Sequence, residues 1–243
     1  MSVTDQHGEQ ELSAVRWIGT PDVTTLRRMA YQRIVDSASR AIERHGRFLI
    51  VLSGGNTPRR VYDLLRAAPT EWSRWQVYFG DERCLPPDSA DRNSRMASDI
   101  WLEHVPIAQH QMHVIPAEIG PEASALSYAD TLRGVRDFDL VLLGLGEDGH
   151  TASLFPGHDW GAEPYAPDVL AVFDAPKPPS QRVSLSAARL SRARQALFLV
   201  EGESKRDAVA RWRMGDNIPA RSIHAHAGVD VLVESMLLSS GGS

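Results

Sequence analysis

The sequence predicts one α/β domain built on a mostly parallel sheet flanked by helices on both faces. Three observations carry this prediction. Apolar runs of strand length alternate with helix-length amphipathic segments along most of the 243 residues. One run, Phe138 to Leu143, is apolar at every position but Asp139, as suits a strand whose two faces are both covered. No internal repeat or flexible linker divides the chain, and its length suits a single large domain.

The elements follow in order. Asp22 to Arg44 is the longest helical stretch: Leu26, Met29, Ala30, Ile34 and Ala38 fall at helical spacing, Asp22 or Thr24 can cap it, and His45-Gly46 ends it. Phe48 to Leu52 is a short apolar strand, followed by a loop over Ser53 to Pro58. Pro58 suits the first position of a helix over Arg59 to Arg66. Val77 to Phe79 is a second strand, ending in a loop that starts Gly80-Asp81-Glu82-Arg83, and Leu85 to Asp91 is a proline-rich loop. Asn93 to His104 reads as a helix, Met112 to Ile115 as a strand, and Pro121 to Val135 as a helix. After the apolar central strand comes a glycine-rich turn, Gly144 to Gly149. Val169 to Phe173, Arg182 to Leu185, Leu197 to Val200 and Val229 to Val233 read as strands, Pro176 to Pro179 as a loop, and Lys205 to Arg213 as a helix. The domain is expected over 13–238, with unstructured ends at Met1 to Leu12 and Ser239 to Ser243.

Composition narrows the function. A formal net charge of −5 weighs against a nucleic-acid partner. It leaves room for a local basic pocket that takes one phosphorylated small molecule. Cys84 is the only cysteine, so an internal disulfide is excluded and a reducing, cytoplasmic setting fits. Cys84 itself reads as a small structural residue, since nothing around it favours a thiolate. No apolar run is long enough to span a membrane, and the polar start lacks the pattern of a secretory signal.

In an open parallel sheet, ligands bind at the carboxyl ends of the strands. Three loops follow strands there, at 53–58, 80–84 and 144–150. Ser53-Gly54-Gly55-Asn56-Thr57-Pro58 is a glycine-rich strand-to-helix turn. Paired glycines let backbone N–H groups approach an anion, and the helix dipole favours a phosphate. It lacks the Gly-Lys-Ser/Thr ending of a P-loop. Asp81-Glu82-Arg83 sets charge at a strand end, which is either solvated or part of a site. Gly144-Leu145-Gly146-Glu147-Asp148-Gly149-His150-Thr151 places two carboxylates and a histidine in one turn. His150 is the candidate proton acceptor, since an imidazole exchanges protons near neutral pH. His158 lacks this setting and reads as a surface loop residue.

Other chemistries find no pattern. His104, His110 and His113 lie close in sequence and His224 and His226 alternate, yet none sits in an HExxH or paired-cysteine motif. No metal is expected. A Gly-x-Ser-x-Gly nucleophile elbow is missing. The Gly-x-Gly-x-x-Gly within the third loop lies mid-chain and ends in His150, so it reads as a site loop and not as a dinucleotide fingerprint.

Taken together, the three loops resemble those of a known family. Leu52 to Pro58 resembles its Ser-Gly-Gly-Ser/Asn-Thr-Pro loop. Phe79-Gly80-Asp81-Glu82-Arg83, followed by Pro86-Pro87 and Asn93, resembles its second motif, and Leu143 to Pro156 its third. The family is 6-phosphogluconolactonase, in the superfamily that includes glucosamine-6-phosphate deaminase. The resemblance spans about Ala14 to Val233. It implies a Rossmann-like fold and hydrolysis of 6-phospho-D-glucono-1,5-lactone in the oxidative pentose phosphate pathway. It implies no metal and no organic cofactor, and a small phosphorylated sugar lactone as partner, with no nucleic acid or membrane. A monomer or homodimer is expected.

By the same resemblance, Gly54, Gly55, Asn56 and Thr57 line the phosphate site, with Arg182 and Lys205 as its cations. His150 is the catalytic base, and Asp81 and Arg83 stand beside the sugar ring. Asp81 or Asp148 orients His150 or the substrate hydroxyls, and this choice stays open. Where the family usually has Ser-Asn-Tyr, this chain has Arg92-Asn93-Ser94, and Arg92 is expected to add positive charge to the pocket.

Two other readings are weighed. The deaminases typically carry Asp-Glu-Tyr in the second motif and Asn-Glu-Pro after the histidine segment. Here Arg83 ends the second motif, and Ser153-Leu154-Phe155-Pro156 offers no acid, so both differences favour the lactonase. A sugar-phosphate-sensing regulator needs a DNA-binding module, and the segment before Asp22 has no room for a helix-turn-helix.

Overall fold

A computed structural model describes residues 15–239. Residues 1–12 and 240–243, where unstructured ends are expected, lie outside the described residues. The chain runs through β1 (Val15–Thr20), α1 (Val23–His45), β2 (Phe48–Leu52), α2 (Asn56–Leu65), β3 (Trp75–Phe79), β4 (Asp81–Arg83), α3 (Asn93–Ile100), β5 (Met112–His113), α4 (Pro121–Thr131) and β6 (Phe138–Gly144). It continues through β7 (Val169–Val172), β8 (Arg182–Leu185), α5 (Ala187–Ser191), β9 (Ala193–Val200), α6 (Arg206–Met214) and β10 (Val229–Glu234).

The local chemistry that starts and stops these elements is visible. Asp22 caps α1 by accepting the Thr25 N–H at 2.7 Å. Gly46 ends the helix in the left-handed region at φ 77°, its N–H donating to the Ile42 carbonyl. Between these caps Leu26, Ala30, Ile34, Ala38 and Ala41 form the buried stripe. The whole of β2 is buried, as an interior parallel strand requires. At one end of the core, Trp75 crosses Phe48 edge to face with ring centres 4.7 Å apart, and Trp72 and Trp101 pack on Trp75. Such pairs contribute about 0.5–1.5 kcal/mol beyond their area burial.

Among the described residues the main sheet has seven strands in the order β1-β10-β9-β6-β2-β3-β5, and every neighbouring pair is parallel. The strand β6, expected from its apolar run to be central, is the fourth of the seven. From β2 the chain moves outward to β3 and β5, then returns to the other side of β2 as β6. The β2–β6 boundary is therefore a topological switch point, where loops diverge and leave a crevice at the carboxyl edge.

Several boundaries differ from the sequence reading. Helix α2 begins at Asn56, three residues before the expected start, so Pro58 falls inside its first turn, where no N–H is needed. The charged segment after β3 is a strand and not a loop: β4 joins β8 and β7 in a small antiparallel sheet. Three-residue pairing with a partner a hundred residues away leaves no periodicity to read.

Candidate active site

The loops after β2, β3 and β6 converge on one cleft of about 610 Å³ at the carboxyl edge. Gly54, Gly55, Asn56, Thr57, Asp81, Arg83, His150, Arg182 and Lys205 all line it. Of the residues expected in the site, Asp148 and Arg92 are not part of the lining.

One wall is the entry to α2. Gly55 is the N-cap at φ 105°, a conformation that favours glycine, and no side chain caps the helix. The first-turn N–H groups and the helix dipole are thus available to an anion in the cleft. Gly54 is required for a different reason: a Cβ there would stand 1.9 Å from Asn93 Oδ1.

A second wall is the small sheet. Alternation along β4 puts Asp81 and Arg83 on the cleft face and Glu82 on the opposite, fully buried face. Arg83 lies directly across from Arg182 on β8. Opposed like charges on neighbouring strands are unfavourable unless an anion joins them. Burial, opposed in part by Asp81 and reinforced by Arg83, lowers the proton affinity of the Arg182 guanidinium. Arg83 Nε is buried without a hydrogen-bond partner among the described residues, while another of its nitrogens donates to the Asp91 carbonyl. Arg182 donates from Nε to Pro179 O and from Nη2 to Lys177 O, at 3.1 and 2.9 Å.

Asp81 is buried and has both oxygens occupied. Oδ1 accepts from Asn93 Nδ2 at 3.0 Å, and Oδ2 accepts from the Ser153 hydroxyl at 2.6 Å.

The third wall is the turn after β6. His150 Nδ1 lies 2.5 Å from Asp148 Oδ1, which also accepts the His150 backbone N–H at 3.1 Å. Burial pushes the Asp148 carboxyl up, but the His150 N–H, charge and ring hydrogen bond outweigh this and hold it below the ordinary carboxylate value. With Nδ1 so engaged, Nε2 is the ring nitrogen left for the cleft. The choice between the two carboxylates is resolved: Asp148 pairs with His150, and Asp81 pairs with Asn93 and Ser153. Gly146 permits this geometry, since a Cβ there would stand 2.0 Å from His150 Nδ1.

Lys205 stands at the far rim, just before α6, and is half-buried. Burial pushes its ammonium down, Glu147 nearby raises it, Lys177 lowers it further and Asp148 raises it. Its side chain makes no hydrogen bond or ion pair among the described residues, while its backbone N–H donates to Gly202 O at 3.0 Å.

Arg92 does not add charge to this cleft. It is buried beneath it, donating to Glu118 at 2.7 Å and to the Ile115 carbonyl at 2.7 Å, with Glu82 at 3.5 Å. Its partners neutralise it. Sequence reasoning gave no role to Ser153, Phe155, Lys177 or Glu201, which the structure adds around the cleft. Glu201 directly follows β9, so the strand-end rule reaches it, whereas Lys177 sits in an irregular loop that carries no signal. Among the described residues no group of three or more His, Cys, Asp or Glu is placed to hold a metal ion. No described helix is long and apolar enough to cross a membrane.

An edge cleft with anion donors on two walls and a carboxylate-held imidazole on the third defines an α/β enzyme that handles a small anionic molecule. The chain belongs to the family of glucosamine-6-phosphate isomerases/6-phosphogluconolactonase, whose model matches residues 21–232. It is 36% identical over 204 residues to a 6-phosphogluconolactonase of Mycobacterium tuberculosis, covering 78% of this chain and 82% of that protein. Its fold is similar to that of a 6-phosphogluconolactonase from Thermotoga maritima, with a TM-score of 0.85 and 24% identity over 91% of this chain and all of the other (100%). A monomeric glucosamine-6-phosphate deaminase shares the fold as well, with a TM-score of 0.79 and 19% identity over 92% of this chain and 98% of that one. The fold alone therefore does not separate the two chemistries.

Proposed function

We propose that this chain hydrolyses 6-phospho-D-glucono-1,5-lactone to 6-phospho-D-gluconate, the lactone-opening step of the oxidative pentose phosphate pathway. The observation that carries the reading is His150, held by Asp148, lining the same cleft as Arg83, Arg182 and Lys205. The relatives named above support lactone chemistry at the level of overall sequence. Against the deaminase, Arg83 ends the second motif, and no acid follows in Ser153-Leu154-Phe155-Pro156.

The substrate phosphate binds between the α2 entry and the cations Arg182 and Lys205. This fixes the distant carbonyl, so remote binding energy is used for positioning. His150 Nε2 takes a proton as water attacks the carbonyl carbon. Asp148 holds the ring tautomer and stabilises the imidazolium that forms. A positioned base supplies roughly 10²–10⁴ in rate. Arg83, or the N–H groups of the glycine-rich turns, stabilise the tetrahedral oxyanion. Collapse breaks the bond from the carbonyl carbon to the ring oxygen, and the imidazolium returns its proton to that oxygen. Asp81, held by Asn93 and Ser153, orients the sugar hydroxyls. Water is the only co-reactant, so neither a metal nor an organic cofactor enters this reading. The cleft is built from one chain, so either a monomer or a homodimer suffices. The lone Cys84 fits a cytoplasmic setting.

The test is the initial rate of lactone loss with purified protein, corrected for spontaneous hydrolysis, with glucosamine 6-phosphate run in parallel. Fast lactone loss without ammonia release supports the reading. Ammonia release from the amino sugar, or no lactone loss above background, rejects it.

A further inference from the structure

Phe155 lies at the meeting point of the two functional ends of the cleft. Its ring is tilted against the His150 imidazole, with ring centres 4.8 Å apart. The Arg182 guanidinium carbon stands 5.6 Å from the centre of the same ring. Only 2% of Phe155 is exposed, yet it lines the cleft. It does not belong to the main core. It packs instead with Val172 and Ala175 in a separate small apolar cluster beside the site.

The chain goes to some length to place this ring. After His150 it reverses through a tight turn in which Leu154 N donates to Thr151 O at 2.9 Å. Within that turn Ala152 adopts φ 48°, a conformation costly for any residue with a Cβ. The Phe155 carbonyl then accepts the Trp160 Nε1 proton at 2.6 Å, which fixes the backbone on the far side. Around Arg182, the carbonyls of Lys177 and Pro179 engage Nη2 and Nε respectively, and the ring supplies a further contact. Nη1 makes no hydrogen bond among the described residues and is the nitrogen left for an anion.

We propose that Phe155 is a positioning residue: its ring holds the Arg182 guanidinium and the His150 imidazole in a fixed relation, so that a phosphate bound at one sets the lactone carbonyl against the other. The proposal rests on the lactonase reading above. The negative face of an aromatic ring attracts both a guanidinium and an imidazolium, so the contact with His150 strengthens as the proton is taken up. An aliphatic side chain of similar bulk fills the same space without that face.

The experiment compares wild type, Phe155→Leu, Phe155→Tyr, Arg182→Ala and the Phe155→Leu/Arg182→Ala double variant in the lactone assay, with KM and kcat determined separately. Phe155→Leu is expected to raise KM about five-fold and lower kcat about ten-fold, while Phe155→Tyr, which keeps the ring, stays within about two-fold of wild type. In the double variant KM is expected to be no higher than in Arg182→Ala alone, because the ring acts on phosphate binding through that arginine. Phe155→Leu kinetics within two-fold of wild type overturn the proposal. So do equal losses in the leucine and tyrosine variants, or KM effects of Phe155→Leu and Arg182→Ala that multiply. Wild-type protein without lactonase activity overturns the reading underneath, and the proposal falls with it.

Discussion

Asp148 Oδ1 receives both the backbone N–H and the ring Nδ1 of His150, at 3.1 and 2.5 Å. One carboxylate oxygen thus fixes the main chain and the imidazole of the same residue. The arrangement needs only one intervening position, Gly149, whose φ of 91° brings residue 150 back over residue 148.

Asp148→Asn is expected to lower kcat by about 10²-fold with little change in KM, since on the proposed mechanism it removes the partner of the imidazolium and leaves the proposed phosphate site intact. The Asp148 carboxyl sits below its ordinary 3.8. What its charge contributes is complete above pH 3.8 and is lost as pH falls through the depressed value. Asp148 therefore stays ionised throughout the range in which a histidine exchanges protons. Steady-state kinetics across pH 4 to 8 check this: in wild type, no activity loss between about pH 5 and 8 should trace to Asp148.

Glycine substitutions separate catalytic geometry from stability. Gly146→Ala places a Cβ 2.0 Å from His150 Nδ1, so the ring must move. Turnover is expected to fall by about 10²-fold, because a displacement near 1 Å costs that much at a reacting centre. Gly46→Ala meets no atom within 4 Å but forces alanine to φ 77° at the end of α1. It should cost about 1 kcal/mol of stability and leave turnover unchanged. Thermal melts and kinetics on both variants test the contrast.

On the proposed function, Lys205 gives the binding step its own pH signature. Burial lowers its ammonium from the ordinary 10.5, with Glu147 opposing in part. Only the charged form attracts phosphate. Affinity for 6-phosphogluconate is expected to be full below the depressed value and to weaken as pH rises through it, starting below pH 10.5. Lys205→Arg should move that limb upward, because arginine stays protonated. Titration calorimetry with the product avoids the alkaline lability of the lactone.

The parallel sheet was legible because its signals are local. Asp22 and Gly46 bracket α1, Phe48–Leu52 is an unbroken apolar run, and Phe138–Gly144 is broken only by Asp139. The candidate site was legible because all three strand-end loops carry glycine, two of them beside charge. What escaped depends on contacts across long stretches of chain. β4 is defined only by pairing with β8, and Glu82 is buried only because Arg92, Asn93 and Ser94 return to it. Arg92 was expected in the pocket because it stands where the resembled family usually has Ser-Asn-Tyr after the proline-rich loop. Its destination is set by Glu82 and Glu118, ten and twenty-six positions away.

That buried pair makes a stability prediction. Arg92→Ala leaves the fully buried Glu82 without its cation and should destabilise the fold by about 3–5 kcal/mol. Glu82 also accepts the Asn93 and Ser94 N–H groups at 2.7 and 2.8 Å, and Asn93 in turn holds Asp81. Kinetic loss should therefore accompany the drop in denaturant midpoint, and a variant as stable as wild type would contradict the assignment.

The role of His150 is the centre of this account, and one comparison tests it most directly: initial rates of 6-phosphogluconolactone hydrolysis by wild type and His150→Ala, each corrected for spontaneous opening and each shown to bind 6-phosphogluconate. The account predicts at least a 10²-fold loss of kcat with product binding retained within a few-fold. A folded His150→Ala protein that binds product and turns over at the wild-type rate would contradict it.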